Sequence, residues 1–144
     1  GYAPSPLLYR DNVILCADYE GGGYLVSHDR ATGKRVWRSK RPVSYSFSSP
    51  VVATVAGKEQ LLLSGCAVVA AYDPATGAEL WSTPGTTMAT CGTMVWDGDL
   101  VFASGGYPQA QTICVKADGS GRVVWKNNVK CYEQSMLAVN GYVY

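Results

Sequence analysis

Ala71-Tyr72-Asp73-Pro74-Ala75-Thr76-Gly77-Ala78-Glu79-Leu80-Trp81 decides the fold, because the chain carries the same text more than once. Ser27-His28-Asp29-Arg30-Ala31-Thr32-Gly33-Lys34-Arg35-Val36-Trp37 lies 44 residues upstream and keeps Asp29, Thr32, Gly33 and Trp37 against Asp73, Thr76, Gly77 and Trp81. A third copy, Val115-Lys116-Ala117-Asp118-Gly119-Ser120-Gly121-Arg122-Val123-Val124-Trp125, ends 44 residues downstream. It keeps Gly121 after a hydroxyl residue and keeps Trp125, but Ala117 stands where the aspartate is expected.

The repeat extends outward from this motif. Ser5-Pro6-Leu7-Leu8 and Ser49-Pro50-Val51-Val52 are again 44 residues apart, and Thr93-Met94-Val95 follows at the same interval. Ser135-Met136-Leu137 opens a fourth unit, slipped by two residues. A fixed period of this size marks a supersecondary unit that buries its apolar surface by stacking on its neighbours.

Each unit reads as four short strands. In the second unit they fall at about 49–55, 59–65, 67–73 and 78–83, separated by Ala56-Gly57, Ser64-Gly65 and Ala75-Thr76-Gly77. Asp97-Gly98 and Asn140-Gly141 supply further hairpin turns, since these residues tolerate positive φ. No helical period is present. The expected fold is therefore all-β, built of β-propeller blades of four antiparallel strands. Three are complete (about 5–40, 49–84 and 93–127) and a fourth begins at about 135–144.

The repeated residues have a structural task. The aspartate accepts backbone N–H groups in the turn between the third and fourth strands, glycine takes the unusual dihedral angles, and the tryptophan packs between blades. Asp29, Thr32, Gly33, Trp37, Asp73, Thr76, Gly77, Trp81, Gly121 and Trp125 are thus read as architecture.

Composition excludes several functions. The 144 residues are 47% hydrophobic and 16% charged, with a net charge of +1. This is globular material without the basic excess that nucleic-acid binding requires. No apolar run is long enough to cross a bilayer as a helix. Gly1-Tyr2-Ala3-Pro4 carries no signal segment. The five cysteines form no C-x-x-C pair. Buried or loop thiols are the favoured state, and Cys66–Cys91 is the first pairing to examine for a disulfide.

Ala-x-Asp-x-x-Thr-Gly-x-x-x-Trp, met in full at residues 71–81, resembles the repeat of the PQQ-like β-propeller superfamily. WD40 repeats have a similar period, but their Gly-His element is missing and Trp96-Asp97 is a single pair on a first strand. The resemblance covers almost the whole chain. It implies a seven- or eight-bladed ring of roughly 300 to 350 residues, completed by further blades from a parent chain or another copy. It also implies an extracytoplasmic location, periplasmic or secreted. The superfamily contains pyrroloquinoline quinone (PQQ) and Ca²⁺ dependent alcohol and sugar dehydrogenases, scaffolds resembling the assembly lipoprotein BamB, and bacterial secreted propellers of unassigned role. Shared blades do not choose among these.

Propellers of this kind place ligands on the face carrying the inter-blade loops and the loops between second and third strands. Arg41, Tyr45, Lys130, Tyr132 and Glu133 are the favoured contacts there, offering charged and aromatic groups to a protein, glycan or small polar ligand. A quinoprotein site would need an aspartate base, a calcium-binding carboxylate–amide set and adjacent cysteines. No Cys-Cys occurs, and His28 is the only histidine. No catalytic residue, metal ligand or cofactor is therefore assigned. A binding scaffold is favoured, with part of a PQQ/Ca²⁺ dehydrogenase as the alternative.

Overall fold

The computed structural model describes residues 4–144; Gly1-Tyr2-Ala3, where the start was read as carrying no signal segment, lies outside them. Three four-stranded antiparallel sheets follow one another along the chain. The first contains β1 (Leu7–Tyr9), β2 (Asn12–Ala17), β3 (Tyr24–Asp29) and β4 (Arg35–Lys40). The second contains β5 (Val51–Val55), β6 (Lys58–Gly65), β7 (Val68–Tyr72) and β8 (Glu79–Pro84). The third contains β9 (Val95–Asp97), β10 (Leu100–Gly105), β11 (Gln111–Lys116) and β12 (Val123–Asn127). A two-stranded sheet, β13 (Ala138–Val139) and β14 (Tyr142–Val143), lies beyond them. These are propeller blades, and among the described residues no helix is long and apolar enough to cross a membrane.

The middle strands of the second blade are apolar on both faces because that blade lies between the first and the third. Successive residues of β6 accordingly serve opposite cores. Leu61 and Leu63 join Tyr9, Ile14, Leu25, Trp37 and Tyr72 between the first and second blades. Leu62 joins Val55, Val69, Trp81, Met94, Val101, Ile113 and Val115 between the second and third. The hydrophobic stabilisation therefore lies mainly between blades.

Tight turns obey backbone chemistry in most places. Ala56-Gly57 and Asn140-Gly141 have positive φ at both positions, as a two-residue hairpin requires. The turn expected at Ser64-Gly65 is instead made by Cys66 and Ala67, both at positive φ. The loop between the second and third blades holds it there: Cys66 N donates to Met88 O, Ala67 N to Thr87 O, and Gly85 N to Ala67 O. Gly65 still has a steric role, since a Cβ there would collide with Ser46.

Candidate functional site

The repeated motif forms the seam between blades. Asp29 Oδ1 accepts from Ala31 N, Thr32 N and Thr32 Oγ1, and Asp73 Oδ1 accepts from Ala75 N and Thr76 N. The Thr32 hydroxyl and backbone N–H hold the Asp29 carboxyl below the usual range. The third turn differs from the sequence alignment. Cys114, not Val115, pairs with Trp125, as Ser27 pairs with Trp37 and Ala71 with Trp81. The turn thus holds one extra residue, Lys116 takes the aspartate's place, and Asp118 does its work from within the turn. Asp118 Oδ1 accepts from Ser120 N and Ser120 Oγ, which lowers its pKa.

The second and third turns each dock onto the tryptophan of the blade before. Trp37 Nε1 donates to Pro74 O at 3.3 Å, and a Cβ on Gly77 would stand 2.5 Å from the Trp37 ring. Ser39 Oγ donates to Gly77 O, and Thr83 Oγ1 donates to Gly121 O one blade later. Trp81 Nε1 donates to Gln60 Oε1 at 2.8 Å, and Gln60 Nε2 donates onward to Ala117 O at 2.7 Å. Only glycine permits this approach, since both Gly77 and Gly121 are at positive φ with a neighbouring blade against them.

The loop face holds the proposed contacts, and the structure places them differently from one another. Arg41 points inward, with its side chain and that of Asp18 0% and 1% exposed. Its Nε and Nη2 donate to the two Asp18 carboxylate oxygens at 3.1 and 2.9 Å, and Nη1 donates to Tyr72 Oη at 3.2 Å. Burial works against the charge on Arg41, but hydrogen bonding and attraction from Asp18 outweigh it, so the guanidinium stays protonated. The inter-blade position of Arg41 gives no sequence cue to this pairing, because Asp18 lies 23 residues away.

Tyr45 is half-buried against Phe47, with ring centroids 6.1 Å apart. Lys130 and Glu133 are exposed, and Tyr132 is half-buried between them. Lys130 Nζ lies 5.9 Å from the Tyr132 ring centroid, and Tyr132 packs on Gly106, where a Cβ would stand 2.5 Å from its Cγ. The third inter-blade loop therefore gathers Lys130, Tyr132 and Glu133, whereas Arg41 belongs to the interior.

Sequence reading missed a cleft of about 480 Å³ on this face. It is lined by Tyr19, Gly21-Gly22-Gly23, Arg38, Lys40, Arg41 and Val43. Arg38 lies 4.3 Å from the Tyr24 ring centroid, and Tyr19 meets Tyr24 edge-on at 6.4 Å. A Cβ on Gly23 would come within 3.0 Å of Asp18 Oδ1 and Arg41 Cβ, so the loop must be glycine where it passes the ion pair. The triple glycine marked a loop in the sequence, but the cleft arises where that loop meets a second segment, residues 38–43.

All five cysteines are free thiols, and Cys66–Cys91 is not formed. Burial pushes Cys16 and Cys66 up to about 12, with the Asp18 charge adding to it. Among the described residues no group of three or more His, Cys, Asp or Glu is placed to hold a metal ion.

The family described as Outer membrane protein assembly factor BamB matches residues 2–144. No curated protein is similar enough in sequence to match. BamB from Moraxella catarrhalis superposes with a TM-score of 0.62 at 13% identity, over 93% of this chain and 43% of that one. A europium-containing methanol dehydrogenase superposes at 0.63 and 17% identity, over 88% of this chain and 24% of its own. Quinohemoprotein alcohol dehydrogenase from Comamonas testosteroni gives 0.65 and 18%, over 88% and 21%. At these identities the likeness is one of fold, and the chain spans less than half the length of each.

Proposed function

The chain belongs to the β-propeller family described as Outer membrane protein assembly factor BamB, and we propose from that premise that it is a binding scaffold. Its ligand is a protein, glycan or small polar molecule held at the loop face. The observation that carries this reading is the cleft bordered by Tyr19, Arg38 and Lys40 above the buried Arg41–Asp18 pair. A fixed ionic floor beneath exposed cationic and aromatic groups suits recognition of a ligand bearing carboxylates. Tyr45, Lys130, Tyr132 and Glu133 extend the surface along the inter-blade loops. In this proposal the divisions at 5–40, 49–84 and 93–127 are blades of a seven- or eight-bladed extracytoplasmic ring, completed by further blades.

Calorimetry against acidic peptides and uronic-acid oligosaccharides tests the reading. The full chain is expected to bind one of these classes, and Lys40→Ala or Tyr19→Ala should weaken it about tenfold, the cost of one good polar or aromatic contact. Alcohol- or sugar-dependent reduction of a redox dye after addition of PQQ and Ca²⁺ would overturn it in favour of a dehydrogenase.

A further inference from the structure

Tyr19, Arg38 and Lys40 rim the loop-face cleft from positions that stay exposed in a blade with neighbours. Ser82 and Pro84, 44 residues beyond Arg38 and Lys40, are exposed in the second blade, which the first and third flank. Tyr107 follows the end of β10 by two residues, as Tyr19 follows the end of β2. It is 51% exposed although Ala89, in the inter-blade loop before it, pairs with it.

The groups around the cleft have separate tasks. Arg38 lies over the Tyr24 ring at 4.3 Å. Stacking fixes the plane of a guanidinium while leaving the N–H groups along its edge free. Neither Arg38 nor Lys40 enters an ion pair among the described residues. They stand two apart on β4, and alternate residues of a strand share one face. Asp18 neutralises Arg41 beneath them, so the free positive charge belongs to the rim. Among the described residues no carboxylate lines the cleft, and Val43 is its single aliphatic side chain. Tyr19 packs on Gly21, where a Cβ would collide with the ring, and meets Tyr24 edge-on. The Tyr19 ring is thus braced and still 39% exposed.

We propose that this cleft binds an oligosaccharide carrying uronic acid residues. The Tyr19 ring is the platform for the C–H face of a sugar, and Arg38 and Lys40 take the carboxylates. A sugar fits better than an acidic peptide. One aliphatic side chain makes no pocket for peptide anchors, whereas a braced aromatic ring offers a flat apolar surface. This rests on the reading of the loop face as a binding surface and names the ligand class for it.

The probe is oligogalacturonate, titrated by calorimetry into the full 144-residue chain. Binding is expected, and the fully methyl-esterified oligomer, which keeps the rings without the charges, should bind about tenfold more weakly or worse. Arg38→Gln and Lys40→Gln, both at exposed positions, should each weaken binding of the acid about tenfold. Tyr19→Ala should do the same, and Tyr19→Phe should restore affinity, because the ring is what the sugar meets. Equal affinity for the methyl ester would overturn the proposal by removing the carboxylate from recognition. Equal affinity for dextran sulfate would overturn it by reducing the site to general attraction of polyanions. A glutamate-rich peptide that binds in a Tyr19- and Lys40-dependent way, with no binding of oligogalacturonate, would overturn the glycan and retain the binding surface. Binding of neither would overturn both.

Discussion

At the scale of single residues, two glycines with the same conformation should respond differently to the same change. Gly33 and Gly77 have φ of 70° and 75°. Nothing lies within 4 Å of a Cβ built on Gly33, whereas one on Gly77 would stand 2.5 Å from Trp37 and 2.6 Å from Ser39. Gly33→Ala therefore meets only backbone strain, about 1 kcal/mol, while Gly77→Ala adds overpacking and should cost about 3 kcal/mol in total. Equilibrium denaturation of the two variants measures the difference, which isolates the inter-blade contact. Sequence comparison gives both positions the same meaning, because the motif records the turn but not whether another blade lies against it. Arg41 illustrates the same limit: as a basic residue in an inter-blade loop it reads as a ligand contact, and only the distant Asp18 carboxylate shows that it is paired in the interior.

At the scale of elements, the turn carboxylates make stability depend on acid. Hydrogen bonds from Thr32 and Ser120 hold Asp29 and Asp118 below the ordinary aspartate value. The unfolded chain then binds protons more readily than the folded one as pH falls through about 4. Their contribution is complete above that value and is lost as pH drops through the lower folded pKa values. Carboxyl NMR titration should find both groups depressed, and Asp29→Asn should flatten the acid limb of a denaturation series. The strands and these turns were legible because period, hairpin dipeptides and apolar runs are local properties. The third turn was misaligned because a one-residue insertion kept the tryptophan spacing while moving the capping aspartate to Asp118. The basic cleft was not legible at all, since its lining comes from separate segments whose meeting depends on the folded path.

At the scale of the whole molecule, stability follows from neighbours rather than from a single centre. The second blade is covered on both faces and supplies residues to both apolar cores. Amide hydrogen exchange should therefore be slowest in β6 and β7, faster in the first and third blades, and fastest in β13 and β14. Uniform protection across the three blades would contradict that order. The tryptophan seam also imposes a delay on biosynthesis. Trp37 is finished by the carbonyl of Pro74, which lies 37 residues further along the chain. As the polypeptide leaves the ribosome, the first blade must wait with its tryptophan uncovered until the second blade's third strand and turn have been made. The seam of the first blade is thus completed only by residues made well after its own last strand.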